Sequence, residues 1–174
     1  MTKLITNTEI IKSIIIISDN INDKVLQGAI FESQEIDLKS VLGTKLVEYF
    51  KSHDESAMEE PFTSLLRELQ VYLAYSTQVH LIEAEMAKIS NQGIYQANDT
   101  NITSLSVDDC LKIKRVYVDK QCAVVKLLQE FCLQHEKELS GFLDGNEWYQ
   151  SKPNLTSSAA TGLWLGGIRG KIII

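Results

Sequence analysis

Apolar residues recur at helical spacing in two long stretches and several short ones, separated by polar intervals. Val25, Leu26, Ala29, Ile30 and Ser33 predict a helix behind the turn-forming run Ser18-Asp19-Asn20-Ile21-Asn22-Asp23. Ile36, Leu38, Val41 and Leu42 prolong the pattern to Gly43, and Leu46, Val47 and Phe50 resume it, which places Gly43 at a bend between two short helices. After a polar, acidic interval, Pro61 suits the first turn of a long helix. Its stripe is Phe62, Leu65, Leu69, Tyr72, Val79, Ile82, Met86 and Ile89, widened by Leu66 and Leu73. Asn91-Gln92-Gly93 forms a stop signal, and the Asn-rich segment 94–103 reads as an exposed loop. Ser106-Val107-Asp108-Asp109 can cap a second long helix with the stripe Ile113, Tyr117, Val124, Leu128, Phe131, His135, Leu139 and Phe142. Unbroken to Gly141, that helix would span about 50 Å at 1.5 Å per residue.

The two ends follow other patterns. Thr6-Asn7-Thr8-Glu9 has the form of a capping box before a short helix reaching about Ser13. The β-branched run Ile14 to Ile17 then predicts an extended, strand-like link crossing the core. Beyond Gly145, Trp148, Tyr149 and Pro153 precede a small-residue stretch from Asn154 to Thr161 and a Gly-rich apolar end. The expected fold is all-α: a helical bundle with two long amphipathic helices, a short extended N-terminal link, an exposed loop and an extended C-terminal arm. Residues 1–145 form the helical domain and 146–174 the arm.

Composition narrows the class without changing this outline. The 174 residues suffice for one buried core, and 44% hydrophobic with 23% charged residues argues against disorder and fibrous repeats. A net charge of −6 opposes a free-standing nucleic-acid binder, although local basic patches are compatible with it. Cys110, Cys122 and Cys132 are odd in number and lack CxxC spacing, so reduced thiols are expected rather than a disulfide framework. Met1 to Thr6 is too short an apolar stretch for a secretory signal, and the longest apolar run, Ile14 to Ile17, is far below the roughly 20 residues of a membrane span.

Catalytic and metal motifs are not expected either. His53, His80 and His135 lie on separate segments, and Cys132 with His135 is a single soft pair, too few ligands for structural zinc. Glu59-Glu60 and Asp108-Asp109 precede predicted helices, where they complement the macrodipole. Asp19 to Asp23 has Ile21 where a calcium loop needs an oxygen ligand, and it lacks the glycine and closing Glu. Gly166-Gly167-Ile168-Arg169-Gly170-Lys171 has the wrong glycine spacing for a phosphate loop and is followed by Ile172. There is no Gly-x-Ser-x-Gly. The expectation is a protein that is not an enzyme, with no cofactor and no metal.

Contact surfaces remain. Lys112, Lys114, Arg115 and Lys120 read as a basic face at the start of the last long helix, suited to an acidic partner or a DNA channel, or to a solvated surface. The tail carries Leu163, Trp164, Leu165, Ile168 and Ile172, an exposure liability on a free monomer. Strand addition to a neighbouring sheet edge and docking on its own domain are both open. With Gly93, Ile94 and Tyr95 of the loop, these tail residues are the expected protein interface.

Leu4-Ile5-Thr6 with its short helix, Ala29-Ile30-Phe31-Glu32-Ser33-Gln34-Glu35-Ile36-Asp37-Leu38, Val41-Leu42-Gly43-Thr44-Lys45-Leu46, Leu69-Gln70-Val71-Tyr72-Leu73-Ala74-Tyr75 and Lys88-Ile89-Ser90-Asn91-Gln92-Gly93-Ile94 occur in one order. As an ordered set they resemble the head–tail connector (adaptor, or head-completion) proteins of tailed phages, notably the ring proteins of crAss-like phages. The resemblance runs from about Leu4 to about Phe142. It implies a structural virion protein, made in the host cytoplasm, forming a homo-oligomeric ring of twelve beneath the portal protein. That ring joins head to tail and contacts neighbouring connector or tail proteins. DNA passes through without sequence-specific binding, and no membrane is involved. The alternative from the residues themselves is a small helical regulator binding DNA or protein through Lys112, Lys114 and Arg115.

Overall fold

Local capping signals become helices in the computed structural model, which describes residues 4–17, 21–91, 107–143 and 145–150; no strand occurs among them. Helix α1 (Thr8–Ile14) is capped by Asn7, whose Oδ1 accepts from the Ile10 N–H at 2.9 Å. The capping box expected from Thr6 therefore gives way to an Asn cap, and Thr6 turns into the interior. The isoleucine run does not cross the core as a strand. Ile11 and Ile15, four apart, share the buried face of α1 and its cap, whereas Ile16 is 93% exposed.

From Asn22, which caps by accepting the Lys24 N–H at 2.9 Å, one helical path runs through α2 (Asp23–Glu32), a π-helical segment (Ser33–Leu38) and α3 (Lys39–Leu42). The i→i+5 turn holds more residues than an α-turn and so re-phases every side chain after it. Ile36, expected on the apolar face, instead points outward at 63% exposed, while Ser33, Gln34 and Leu38 are buried. Gly43 ends α3 at φ +82°, a conformation that only glycine adopts readily, and α4 (Thr44–Ser52) departs in a new direction.

A 3₁₀ turn (Glu55–Ala57) and a cis Glu60–Pro61 bond lead into α5 (Phe62–Asn91). The Glu60 carboxylate accepts from the Ser64 N–H at 3.2 Å, satisfying one of the donors orphaned at a helix start. Helix α5 is the axis of the molecule: α1, α2 and the π-helix pack on it, and α6 (Val107–Gln134) runs along it. The pairs Glu83–Lys114, Tyr75–Tyr117 and Tyr72–Gln121 descend one helix as they ascend the other, so α5 and α6 are antiparallel. Leu65, Leu69, Leu73 and Leu128 are fully buried at this axis, each contributing roughly 1.5–3 kcal/mol of transfer free energy.

The second long helix is not continuous to Gly141. It turns at His135, and α7 (Glu136–Leu143) packs on α4, burying Leu139 and Leu143 where a straight helix would leave them beyond the end of the body. Tyr49 of α4, Phe62 of α5 and Phe142 of α7 form an aromatic junction with centroids 4.3–5.4 Å apart. Asn146 and α8 (Glu147–Gln150), assigned by composition to the arm, dock on α3: Asn146 Nδ2 donates to the Leu42 carbonyl and Trp148 Nε1 to the Val41 carbonyl, both at 2.7 Å. Among the described residues no helix is long and apolar enough to cross a membrane.

Candidate functional site

The π-helix positions the densest group of polar side chains among the described residues. Re-phasing brings Ser33, Gln34 and Asp37 against α5, where Ser76, Thr77 and His80 face them across an otherwise leucine-rich contact. Ser33 Oγ donates to the Ala29 carbonyl at 2.8 Å and lies 3.3 Å from Thr77 Oγ1. Gln34 Oε1 accepts from the Ile5 N–H at 2.6 Å, tying the N-terminal segment to the same helix.

Asp37 Oδ2 accepts from Ser76 Oγ and from His80 Nε2, the latter at 2.9 Å. Because an ionised carboxylate only accepts, the proton in the second bond belongs to the imidazole. The other ring nitrogen, Nδ1, lies 3.5 Å from Glu32 and 3.6 Å from Glu83. The Asp37 hydrogen bond leads in raising the His80 pKa above its ordinary 6.5, outweighing burial, with the charges of Asp37, Glu83 and Glu32 adding to it. Burial would raise the Asp37 carboxyl, but hydrogen bonds from His80 and Ser76 hold it below the usual value.

Ser, His and Asp meet here, yet their order differs from that of a nucleophile. A triad puts histidine between serine and carboxylate so that it can take the serine proton. In this cluster the carboxylate lies between the other two, and Ser76 is fully buried, with no face open to a substrate. Among the described residues no group of three or more His, Cys, Asp or Glu is placed to hold a metal ion. The arrangement can fix the register of α2 and the π-helix on α5.

A second network lies on the other side of the π-helix. Glu35 receives Lys39 and Lys51, each at 2.5 Å, and Gln34 Nε2 at 2.9 Å. Burial would raise its carboxyl, but these three donors bring it down to about 2. Lys39 and Lys51 also reach Glu48, so α3 and α4 are joined by charge across the Gly43 bend. Beside them an open groove of about 530 Å³ runs past Gly43, Lys45, Asn146 and Trp148. Its lysines are engaged, Lys39 with Glu35 and Glu48 and Lys45 with the Gly141 carbonyl at 3.4 Å.

The expected interface residues Gly93, Ile94 and Tyr95, and Leu163, Trp164, Leu165, Ile168 and Ile172, lie outside the described residues. Lys112, Lys114 and Arg115 are on α6, but they do not share one face. Lys114 turns inward to Glu83 at 2.6 Å, Lys112 is exposed and meets Asp109 at 3.3 Å, and Arg115 is exposed. Residues two apart on a helix point about 200° from each other, which separates Lys112 from Lys114. Lys120 bends over the rings of Tyr75 and Tyr117, 5.5 and 5.0 Å from their centroids.

What the spacing did not disclose is the outward apolar surface. Ile113 heads the predicted inner stripe but is 38% exposed, because the inner face of α6 is set by Cys110, Val124, Leu128 and Cys132. Val116 at 52% and Leu127 at 54% lie with Ile113 along one flank of α6, beside its buried face. Phe31 and Ile36 are exposed on the α2–π-helix segment. The signal for α6 was available: Ile113, Val116 and Leu127 keep a period of their own beside the inner one. No family model, curated protein or solved structure matches this chain.

Proposed function

We propose that this chain is a structural subunit of a tailed-phage head–tail connector, one of twelve in a ring beneath the portal that joins the capsid vertex to the tail. The observation carrying the reading is the pair of apolar surfaces open to solvent, on α6 and on the α2–π-helix segment, in a body that already buries a continuous helical core. Helices with an apolar face in water are suited to covering by another protein. The ordered resemblance from Leu4 to Phe142 names the kind of assembly.

On this reading the long α5–α6 pair is a rigid strut, residues 92–104 reach an adjacent subunit or the portal, and residues 163–174 dock into a neighbouring ring protein. DNA passes through the ring under general electrostatics, without base readout. Two measurements test the proposal. The chain should be recovered from purified virions at a copy number equal to that of the portal, and its absence from virions would overturn the reading. Deleting residues 163–174 should abolish attachment to the portal or tail proteins while leaving the helical circular dichroism intact; unchanged attachment removes the arm from the account.

A further inference from the structure

We infer that His80 is a proton-operated tie at the π-turn: carrying two ring protons it holds α2 and the π-helix on α5 together, and carrying one it can hold only one of them. The inference does not depend on the ring reading.

Its basis is what surrounds the imidazole. His80 belongs to the middle of α5, its side chain is largely buried, and both of its nitrogens meet acidic groups. Nε2 lies 2.9 Å from Asp37 of the π-helix, whose same oxygen accepts from Ser76 Oγ. Nδ1 lies within ion-pair range of two carboxylates, Glu32 from α2 at 3.5 Å and Glu83 from α5 itself at 3.6 Å. Helix α6 contributes Lys114, which takes the other oxygen of Glu83 at 2.6 Å. Three carboxylates thus stand about one imidazole, and one of the three has an ammonium of its own.

A neutral imidazole has one N–H and one lone pair. Placed on Nε2, its proton serves Asp37 and the Nδ1 lone pair is turned toward Glu32 and Glu83. Placed on Nδ1, it leaves a lone pair 2.9 Å from the Asp37 oxygen. Only the imidazolium answers both sides, and the raised pKa of the ring, led by the Asp37 hydrogen bond, has this same origin. When one proton leaves, the least costly arrangement keeps Nε2–H on Asp37, because Asp37 is 26% exposed whereas Glu32, at 56%, can turn to water. Glu83 keeps Lys114. The contact that is lost is the one between α2 and α5.

That contact positions a surface. Glu32 follows the exposed Phe31, and Asp37 follows the exposed Ile36, with the π-turn between them. While both carboxylates meet one charged ring, Phe31 and Ile36 are referred to a single point of α5; with Glu32 released, the end of α2 moves without the π-helix. The apolar patch is therefore presented in one arrangement only while His80 is charged. The tie is complete below the ordinary histidine value of 6.5 and is lost as pH rises through the raised pKa.

The test combines nitrogen NMR of the His80 ring with amide hydrogen exchange in the full chain across about pH 6 to 9. At pH 6.5 the ring should be mostly doubly protonated. Protection of residues 29–38, taken relative to intrinsic exchange, should fall about threefold or more as the ring titrates, while α6 around Leu128 keeps its protection. Glu32→Gln, at an exposed position, should lower the His80 midpoint by about half a pH unit and remove most of that pH-dependent loss. His80→Gln can donate to Asp37 but carries no charge, so it should show the low protection at every pH. A ring half or more neutral at pH 6.5, protection over residues 29–38 that does not follow the titration, or a midpoint unmoved by Glu32→Gln overturns the inference. Should His80→Gln lose helical signal, the unsubstituted chain and Glu32→Gln decide it.

Discussion

At Gly43 the backbone sits at φ +82°, and a Cβ would come within 2.6 Å of Asn146 Oδ1. Gly43→Ala should therefore destabilise the fold by about 1–3 kcal/mol, read by denaturant unfolding, because it adds left-handed strain and displaces the Asn146 bond to Leu42. The His80–Asp37 bond predicts a pH dependence. His80 is raised above 6.5, so its contribution is complete below that value and is lost as pH rises through the elevated pKa; Asp37 is lowered, so its contribution is present above 3.8 and is lost as pH falls through its depressed pKa. The stability gap between the chain and His80→Gln should be widest between those limits and narrow toward alkaline pH, and a gap independent of pH would contradict the ion pair. Glu35, held at about 2, keeps its contribution well into acid. Glu35→Gln, which removes the charge that Lys39 and Lys51 share, should cost about 1–2 kcal/mol at pH 7, measurable by the same unfolding experiment. The His80–Asp37 pair was not legible in the sequence, since the two are 43 residues apart and no local pattern relates them, whereas Glu35 and Lys39 keep the i,i+4 spacing of a helical ion pair.

Among the elements, adjacent leucines of α6 give opposite predictions. Leu128 is fully buried against α5, so Leu128→Ala should destabilise by about 2–5 kcal/mol. Leu127 is 54% exposed, so Leu127→Ala should leave unfolding of the isolated chain within about 0.5 kcal/mol and reduce its self-association instead. Helices were the legible part of this chain: Pro61 immediately precedes α5, and Asp108 and Asp109 lie in the first turn of α6. The departures have one physical origin, that tertiary packing decides where a helix stops being regular. Packing on α4 turns the chain at His135, and the polar contacts of Ser33, Gln34 and Asp37 accompany a π-turn that a 3.6-residue period cannot report. Residues 14–17 misled for a related reason. Their β-branched side chains favour extension, but Ile11 fixes which one of them, Ile15, is taken into the core.

For the whole molecule, the bundle expected from periodicity is the bundle observed, and its interior chemistry ties helices to one another. The function read from it lies on outward surfaces that periodicity alone assigned to the core or left unassigned. A symmetry-resolved reconstruction of the head–tail vertex in virions containing this chain tests that reading most directly. It should show a closed ring of this chain against the portal, with Val116 and Leu127 of each copy covered by a neighbouring protein. A vertex without the chain, or a ring in which Val116 and Leu127 face solvent, would contradict the account.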